Sequence, residues 1–248
     1  MGLIVEILPD KAALLARAKT RVVEQVTDAI ATRGRCTLAL AGGSTPKPLY
    51  EALAAADLPW QQLYIFWGDE RYVPLTHPDS NAGMACAAWL DQVPIPKNQI
   101  FPVPTVDADP AMAAQAYENT LRQVFPEDAI PVFDLILLGL GDDAHTASLF
   151  PQTSVLNERQ HWVGVGQKQD DPRITLTVPL INQARLVLFL VSGASKQAAL
   201  TQVFAETADA QTYPARLIQP QGELRWLLDA DAGAGIPSHV PLTQVAES

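Results

Sequence analysis

Apolar bursts rich in Val, Ile and Leu alternate along the chain with Ala-rich stretches whose apolar residues recur at helical spacing. The bursts fall at Leu3–Leu8, Cys36–Ala41, Leu63–Trp67, Phe133–Leu138, Ile174–Val178, Leu186–Val191 and Leu224–Leu228. Several are apolar at nearly every position, the pattern of strands buried on both faces. Between them, Lys11–Thr32, Pro46–Ala56, Asn81–Asp91, Pro110–Phe125 and Ser195–Thr207 read as helices. Ser80 or Asn81, Asp109 and Ser195 are the expected N-caps. This alternation predicts an α/β fold: a mainly parallel sheet flanked by helices on both faces, Rossmann-like. The Pro-rich stretch Val93–Pro104 has no composition shift at its borders and reads as an ordered loop. Residues 1–248 are therefore expected to form a single large domain, with the tail after about residue 230 peripheral.

Ligands of open parallel sheets sit beyond the carboxyl ends of the strands, so the residues just after each burst carry the chemistry. After Cys36–Ala41 come Gly42, Gly43, Ser44, Thr45 and Pro46, with Pro46 placed for a first helical position and Thr45 as its cap. Free N–H groups there could cradle a phosphate; an ordinary capped helix explains the residues equally well. After Leu63–Trp67 come Gly68, Asp69, Glu70 and Arg71, able to bind a polyol or steady an oxyanion, or to form a self-neutralising turn.

The densest strand end runs from Gly139 through Gly141, Asp142, Asp143, Ala144 and His145 to Ser148. Its GxGxxA spacing imitates a dinucleotide fingerprint. Carboxylates at Asp142 and Asp143, and Pro151 shortly after, argue against that reading. A general base at His145, held by Asp143 or a nearby carbonyl, suits proton abstraction near neutral pH. Arg173 opens the burst Ile174–Val178, and Lys196 comes after the apolar strand Leu186–Val191, in the first turn of a helix. A cation there opposes the helix dipole unless an anion is bound, although an exposed lysine bears that cost easily.

Composition narrows the partners. The chain is 48% hydrophobic and 18% charged, too apolar for disorder, with a formal net charge of -10. Such a surface repels phosphodiester backbones and anionic lipid heads, which disfavours nucleic acid and membranes but still admits a small anion. Cys36 and Cys86 share no CxxC spacing and read as buried free thiols. His77, His161 and His239 form no HxH or HExxH pattern, so no metal is expected, and the GxSxG elbow is absent. The N-terminus has no signal or anchor pattern and no apolar run is long enough to span a bilayer, giving the expectation of a soluble cytoplasmic protein. Nothing in the apolar helices separates a monomer from a dimer.

Five motifs occur in order: Ala41-Gly42-Gly43-Ser44-Thr45-Pro46; Trp67-Gly68-Asp69-Glu70-Arg71-Tyr72-Val73; Ser80-Asn81; Gly139-Leu140-Gly141 through His145-Thr146-Ala147-Ser148-Leu149-Phe150-Pro151; and Arg173-Ile174-Thr175-Leu176-Thr177. With these the chain resembles the 6-phosphogluconolactonase family, over nearly its whole length. The resemblance implies hydrolysis of 6-phospho-D-glucono-1,5-lactone to 6-phosphogluconate in the oxidative pentose phosphate pathway, without a cofactor. It implies a phosphate on Gly42, Gly43, Ser44 and Thr45, closed by Arg173 and Lys196. His145 would deprotonate the attacking water, oriented by Asp143. Arg71 would steady the oxyanion, or orient the ring oxygens together with Asp69.

Amino-sugar-phosphate deaminases and isomerases share this fold and are the nearest alternative. They carry a Glu after the histidine, whereas Thr146–Pro151 holds no acid here. Lactonases commonly read Gly-Pro-Asp-Gly-His where this chain has Gly141-Asp142-Asp143-Ala144-His145. Ala144 is therefore expected to strain the loop or tilt His145, and Asp142 to repel a phosphorylated substrate. Those two departures leave a catalytically impaired sugar-phosphate-binding protein as a further alternative.

Overall fold

The computed structural model describes residues 2–105, 109–126 and 129–243. In chain order the elements are β1 (Leu3–Leu8), α1 (Lys11–Arg33), β2 (Cys36–Leu40), α2 (Pro46–Ala54), β3 (Leu63–Trp67), β4 (Asp69–Arg71), α3 (Asn81–Ala85) and α4 (Pro110–Val124). Next come β5 (Leu135–Leu138), β6 (Val163–Lys168), β7 (Asp171–Leu176), α5 (Val178–Ile181), β8 (Leu186–Val191), α6 (Gln197–Val203), β9 (Glu223–Asp229) and α7 (Ala230–Gly233).

Six strands form one parallel sheet in the order β1-β9-β8-β5-β2-β3. Every residue of β2, β5 and β8 is buried, as their unbroken apolar runs require of strands covered on both sides. Helix α1 begins where the Asp10 carboxylate accepts from the Ala13 N–H at 2.8 Å, and ends at Gly34, whose φ of 77° only glycine adopts freely. Its buried stripe, Leu14, Ala18, Val22, Val26 and Ala29, keeps helical period and packs into the core. From β2 the chain steps outward to β3, and from β5 it steps the other way to β8. The two connections thus diverge above the β2–β5 pair, opening a crevice at the carboxyl ends.

The burst at Ile174–Val178 does not join this sheet. Its strand, β7, pairs antiparallel with β4 and β6 in a separate three-stranded sheet, and Val178 already belongs to α5. Other expectations change as well. Thr45 makes no side-chain cap, and Ser195 lies in a short turn ahead of α6 instead of capping it. Asn81–Ala85 is helical but Cys86–Leu90 widens into a π-turn, and Cys86 is only half-buried whereas Cys36 is fully buried. Beyond Asp229 the chain is partly packed: Ala232 is fully buried, and the Thr243 N–H donates to Val5 O at 2.8 Å along the open edge of β1. At the opposite edge, Phe101 N–H donates to Ile65 O at 2.9 Å, so the Pro-rich loop is stitched to β3. No described helix is long and apolar enough to cross a membrane.

Candidate active site

The crevice above β2 and β5 is a cavity of about 490 Å³. Its floor is the turn after β2. Gly43 has φ 98°, and a Cβ on Gly42 would lie 1.8 Å from the Asn81 side-chain oxygen, so both positions require glycine. Among the described residues, the N–H groups of Gly42, Gly43, Ser44 and Thr45 donate to no protein acceptor. Pro46 and Pro48 remove two donors from the first turn of α2, so the donors available to an anion are those four amides and the Ser44 and Thr45 hydroxyls.

Past β3 the chain leaves the main sheet at Gly68 and enters β4. The three polar residues there part ways. Glu70 is 2% exposed and takes the N–H groups of Asn81 and Ala82, each at 2.7 Å, together with Ser80 Oγ at 3.1 Å. Glu70 thus anchors the start of α3 and takes no part in the cavity. Asp69 faces the cavity, and its Oδ2 accepts from Ser148 Oγ at 2.7 Å. Burial pushes its carboxyl above the usual range, against the Ser148 hydrogen bond and the nearby Arg71, His145 and Arg173. Arg71 donates to Asp79 O at 2.5 Å and stands opposite Arg173 in the β4–β7 register, so two guanidiniums reach the cavity from neighbouring strands.

The loop after β5 carries the histidine. His145 Nδ1 lies 2.5 Å from Asp143 Oδ1; a carboxylate can only accept, so Nδ1 holds the proton and Nε2 is left as the basic nitrogen. The hydrogen bond from His145 holds the Asp143 carboxyl down at about 2. Asp143 sits behind the ring without lining the main cavity, and Phe150 packs against it at 4.5 Å between centroids. A Cβ on Gly141 would come within 2.0 Å of His145 Nδ1, so the pair closes directly over that glycine.

Ala144 has φ 62° and is fully buried, and Ala147 has φ 47°. The expected backbone strain is present, yet the His145–Asp143 contact forms. An alanine in this conformation costs about 1–2 kcal/mol. Its buried methyl returns about 0.8 kcal/mol, and a glycine would cost about 0.5–1 kcal/mol in chain entropy. Ala144→Gly is therefore expected to shift folding stability by less than about 1 kcal/mol in denaturant titrations.

Lys196 Nζ reaches the cavity but donates to Asp142 Oδ1 at 2.6 Å, and Ser195 Oγ donates to the same oxygen at 3.2 Å. Of the sequence candidates, Gly42, Gly43, Ser44, Thr45, Asp69, Arg71, His145, Arg173 and Lys196 all line one cavity. Sequence reasoning missed Lys11 and Lys168, which also line it. Lys168 ends β6 at a two-residue hairpin turn opposite Asp171, and its own sequence spacing carried no signal.

The chain matches the family described as glucosamine-6-phosphate isomerases/6-phosphogluconolactonase over residues 9–226. It is 58% identical to the 6-phosphogluconolactonase of Synechocystis sp. over 234 residues, 94% of this chain and 98% of that one. It is 56% identical to the 6-phosphogluconolactonase of Nostoc sp., over 93% of this chain and 97% of that one. A solved structure of 6-phosphogluconolactonase from Trypanosoma brucei superimposes with a TM-score of 0.86 at 31% identity, covering 95% of this chain and 99% of that one. The chain belongs to the glucosamine-6-phosphate isomerase/6-phosphogluconolactonase family.

Proposed function

We propose that this chain hydrolyses 6-phospho-D-glucono-1,5-lactone to 6-phosphogluconate, as a carboxylic ester hydrolase of the pentose phosphate pathway. The observation that carries this reading is a histidine with a free Nε2 and a carboxylate behind it, facing a cavity lined with anion donors. The 58% identity to a named lactonase supports it, and so does Thr146–Pro151, which holds no ring-opening acid. Ser148 within that segment binds Asp69 instead.

The substrate phosphate would rest on the amides and hydroxyls of Gly42–Thr45 and on Arg173 and Lys196, a donor set suited to a dianion. Fixing that end positions the remote lactone carbonyl. His145 Nε2 takes a proton from water as its oxygen adds to C1. Arg71 steadies the negative carbonyl oxygen, and Asp69 orients the ring hydroxyls. Collapse breaks the C1–ring oxygen bond, and the imidazolium returns its proton to the departing oxygen, leaving a carboxylic acid that ionises. Asp143 keeps the imidazole in the tautomer this requires.

The proposal takes residues 1–248 as one domain and the sugar-phosphate lactone as its partner, acting in the cytoplasm without nucleic acid, membrane or cofactor. The net charge of -10 supports the first two exclusions. Its test monitors freshly generated lactone against the spontaneous rate, with excess 6-phosphogluconate dehydrogenase reporting product. Clear acceleration supports the reading. Product binding without acceleration would assign the chain to sugar-phosphate binding, and ammonia release from an amino-sugar phosphate would assign it to the deaminases. Arg173→Ala is expected to raise KM about tenfold or more, through loss of a charge-assisted phosphate contact, with a smaller change in kcat.

A further inference from the structure

Asp142 stands out because it fills, from within the chain, part of the site a phosphate would use. Its carboxylate accepts from the Lys196 ammonium at 2.6 Å and from the Ser195 hydroxyl at 3.2 Å. Ser195, Lys196 and Asp142 all border the main cavity. The Lys196 side chain is 23% exposed while that of Asp142 is 68% exposed, so the cation is held in place and the carboxylate is the partner able to swing out to water. No other carboxylate lies within 4.0 Å of Lys196 among the described residues. Lys196 holds the Asp142 carboxyl below its usual range.

We propose that Asp142 is a resident counter-ion of the phosphate site, displaced from Lys196 and Ser195 when a phosphorylated ligand binds, so that its removal tightens the site for phosphate. A carboxylate matches a monoanion in charge, so a monoanionic ligand gains nothing by replacing it. A phosphate dianion brings twice the charge and more acceptor oxygens, and wins the exchange. Binding is weakened, by the same factor, for every anion that must displace Asp142 from Lys196. The inference rests on the lactonase reading for its substrate, but the exchange itself concerns inorganic phosphate as much as the sugar.

The test titrates inorganic phosphate calorimetrically into the parent chain, Asp142→Asn, Lys196→Ala and the double variant, with KM and kcat for the lactone measured in parallel. Asp142→Asn should tighten phosphate binding and lower KM by about three- to fivefold, the scale of a part-exposed ion pair, with kcat changing less than about twofold. In the Lys196→Ala background the same substitution should change phosphate affinity by less than about 1.5-fold. Unchanged or weaker phosphate binding in Asp142→Asn would overturn the proposal, by showing that Asp142 is inert or positions Lys196 for the ligand. Equal tightening with and without Lys196 would also overturn it, since mean-field repulsion would then suffice. If the parent chain fails to hydrolyse the lactone, the lactonase reading falls while the phosphate titrations still decide the role of Asp142.

Discussion

Replacing His145 with Ala will lower kcat by about two to four orders of magnitude while KM stays within about threefold of the parent value. The two effects separate because the imidazole is not among the groups proposed to hold the phosphate. It meets Asp143 on one side and Phe150 on its face, and only Nε2 is free for water. The pH profile gives a second readout. Asp143, held at about 2, stays ionised through the mildly acidic range, so it adds no proton of its own to the acid limb of kcat/KM. His145→Ala retaining more than about a tenth of the parent rate would assign water activation elsewhere. Asp69 would be the next candidate, since burial raises its pKa.

The second large effect is on folding, at the other end of the sheet. Asp134 is 4% exposed and precedes β5, on the side away from the cavity. Its Oδ2 accepts from the Thr37 N–H at 2.8 Å and the Thr37 hydroxyl at 2.9 Å, while Oδ1 accepts from Arg33 at 2.8 Å. Arg185, just before β8, lies 3.4 Å away. One carboxylate thus joins the end of α1 to three adjacent strands. Asp134→Ala strands a buried N–H and leaves the arginines without their counter-charge, at a cost of about 3 kcal/mol. In a chain of this size that lowers Tm by about 6–12 °C. The kcat of the folded variant should match the parent within about twofold, because no group near the lactone moves. A loss below about 1 kcal/mol would show that water replaces the carboxylate at Thr37.

The central strands of the parallel sheet were legible because β2, β5 and β8 are apolar along nearly their whole length, as burial on both faces requires. The small sheet was not. Residues Asp69–Arg71 are three charged residues in a row, and Val163–Lys168 carries two glycines and a polar end, so neither shows a strand period. That sheet exists because β4 and β6 both pair with β7, a fact about partners far apart in the chain. The same holds for the site. His145 with Asp143 was readable, being two residues apart at a strand end. Glu70 was not, because only the fold turns it toward the α3 amides while its neighbour Asp69 turns to the cavity. Asp142 was expected to act as a free negative charge; its pairing with Lys196, on the loop after a different strand, could not be foreseen from spacing.

The division of labour between the two sheets bears on how such a protein changes over generations. The turn proposed to cradle the phosphate and the loop that carries the histidine both grow from the parallel sheet, whose interior tolerates little variation. Arg71, Arg173 and Lys168 stand on the small antiparallel sheet, which takes over from the main one at Gly68. Substitutions there can alter the width or reach of the grip on a sugar while the base and its carboxylate keep their places. Lineages that drift toward a differently shaped sugar phosphate should accumulate their replacements on these three short strands before touching the histidine loop.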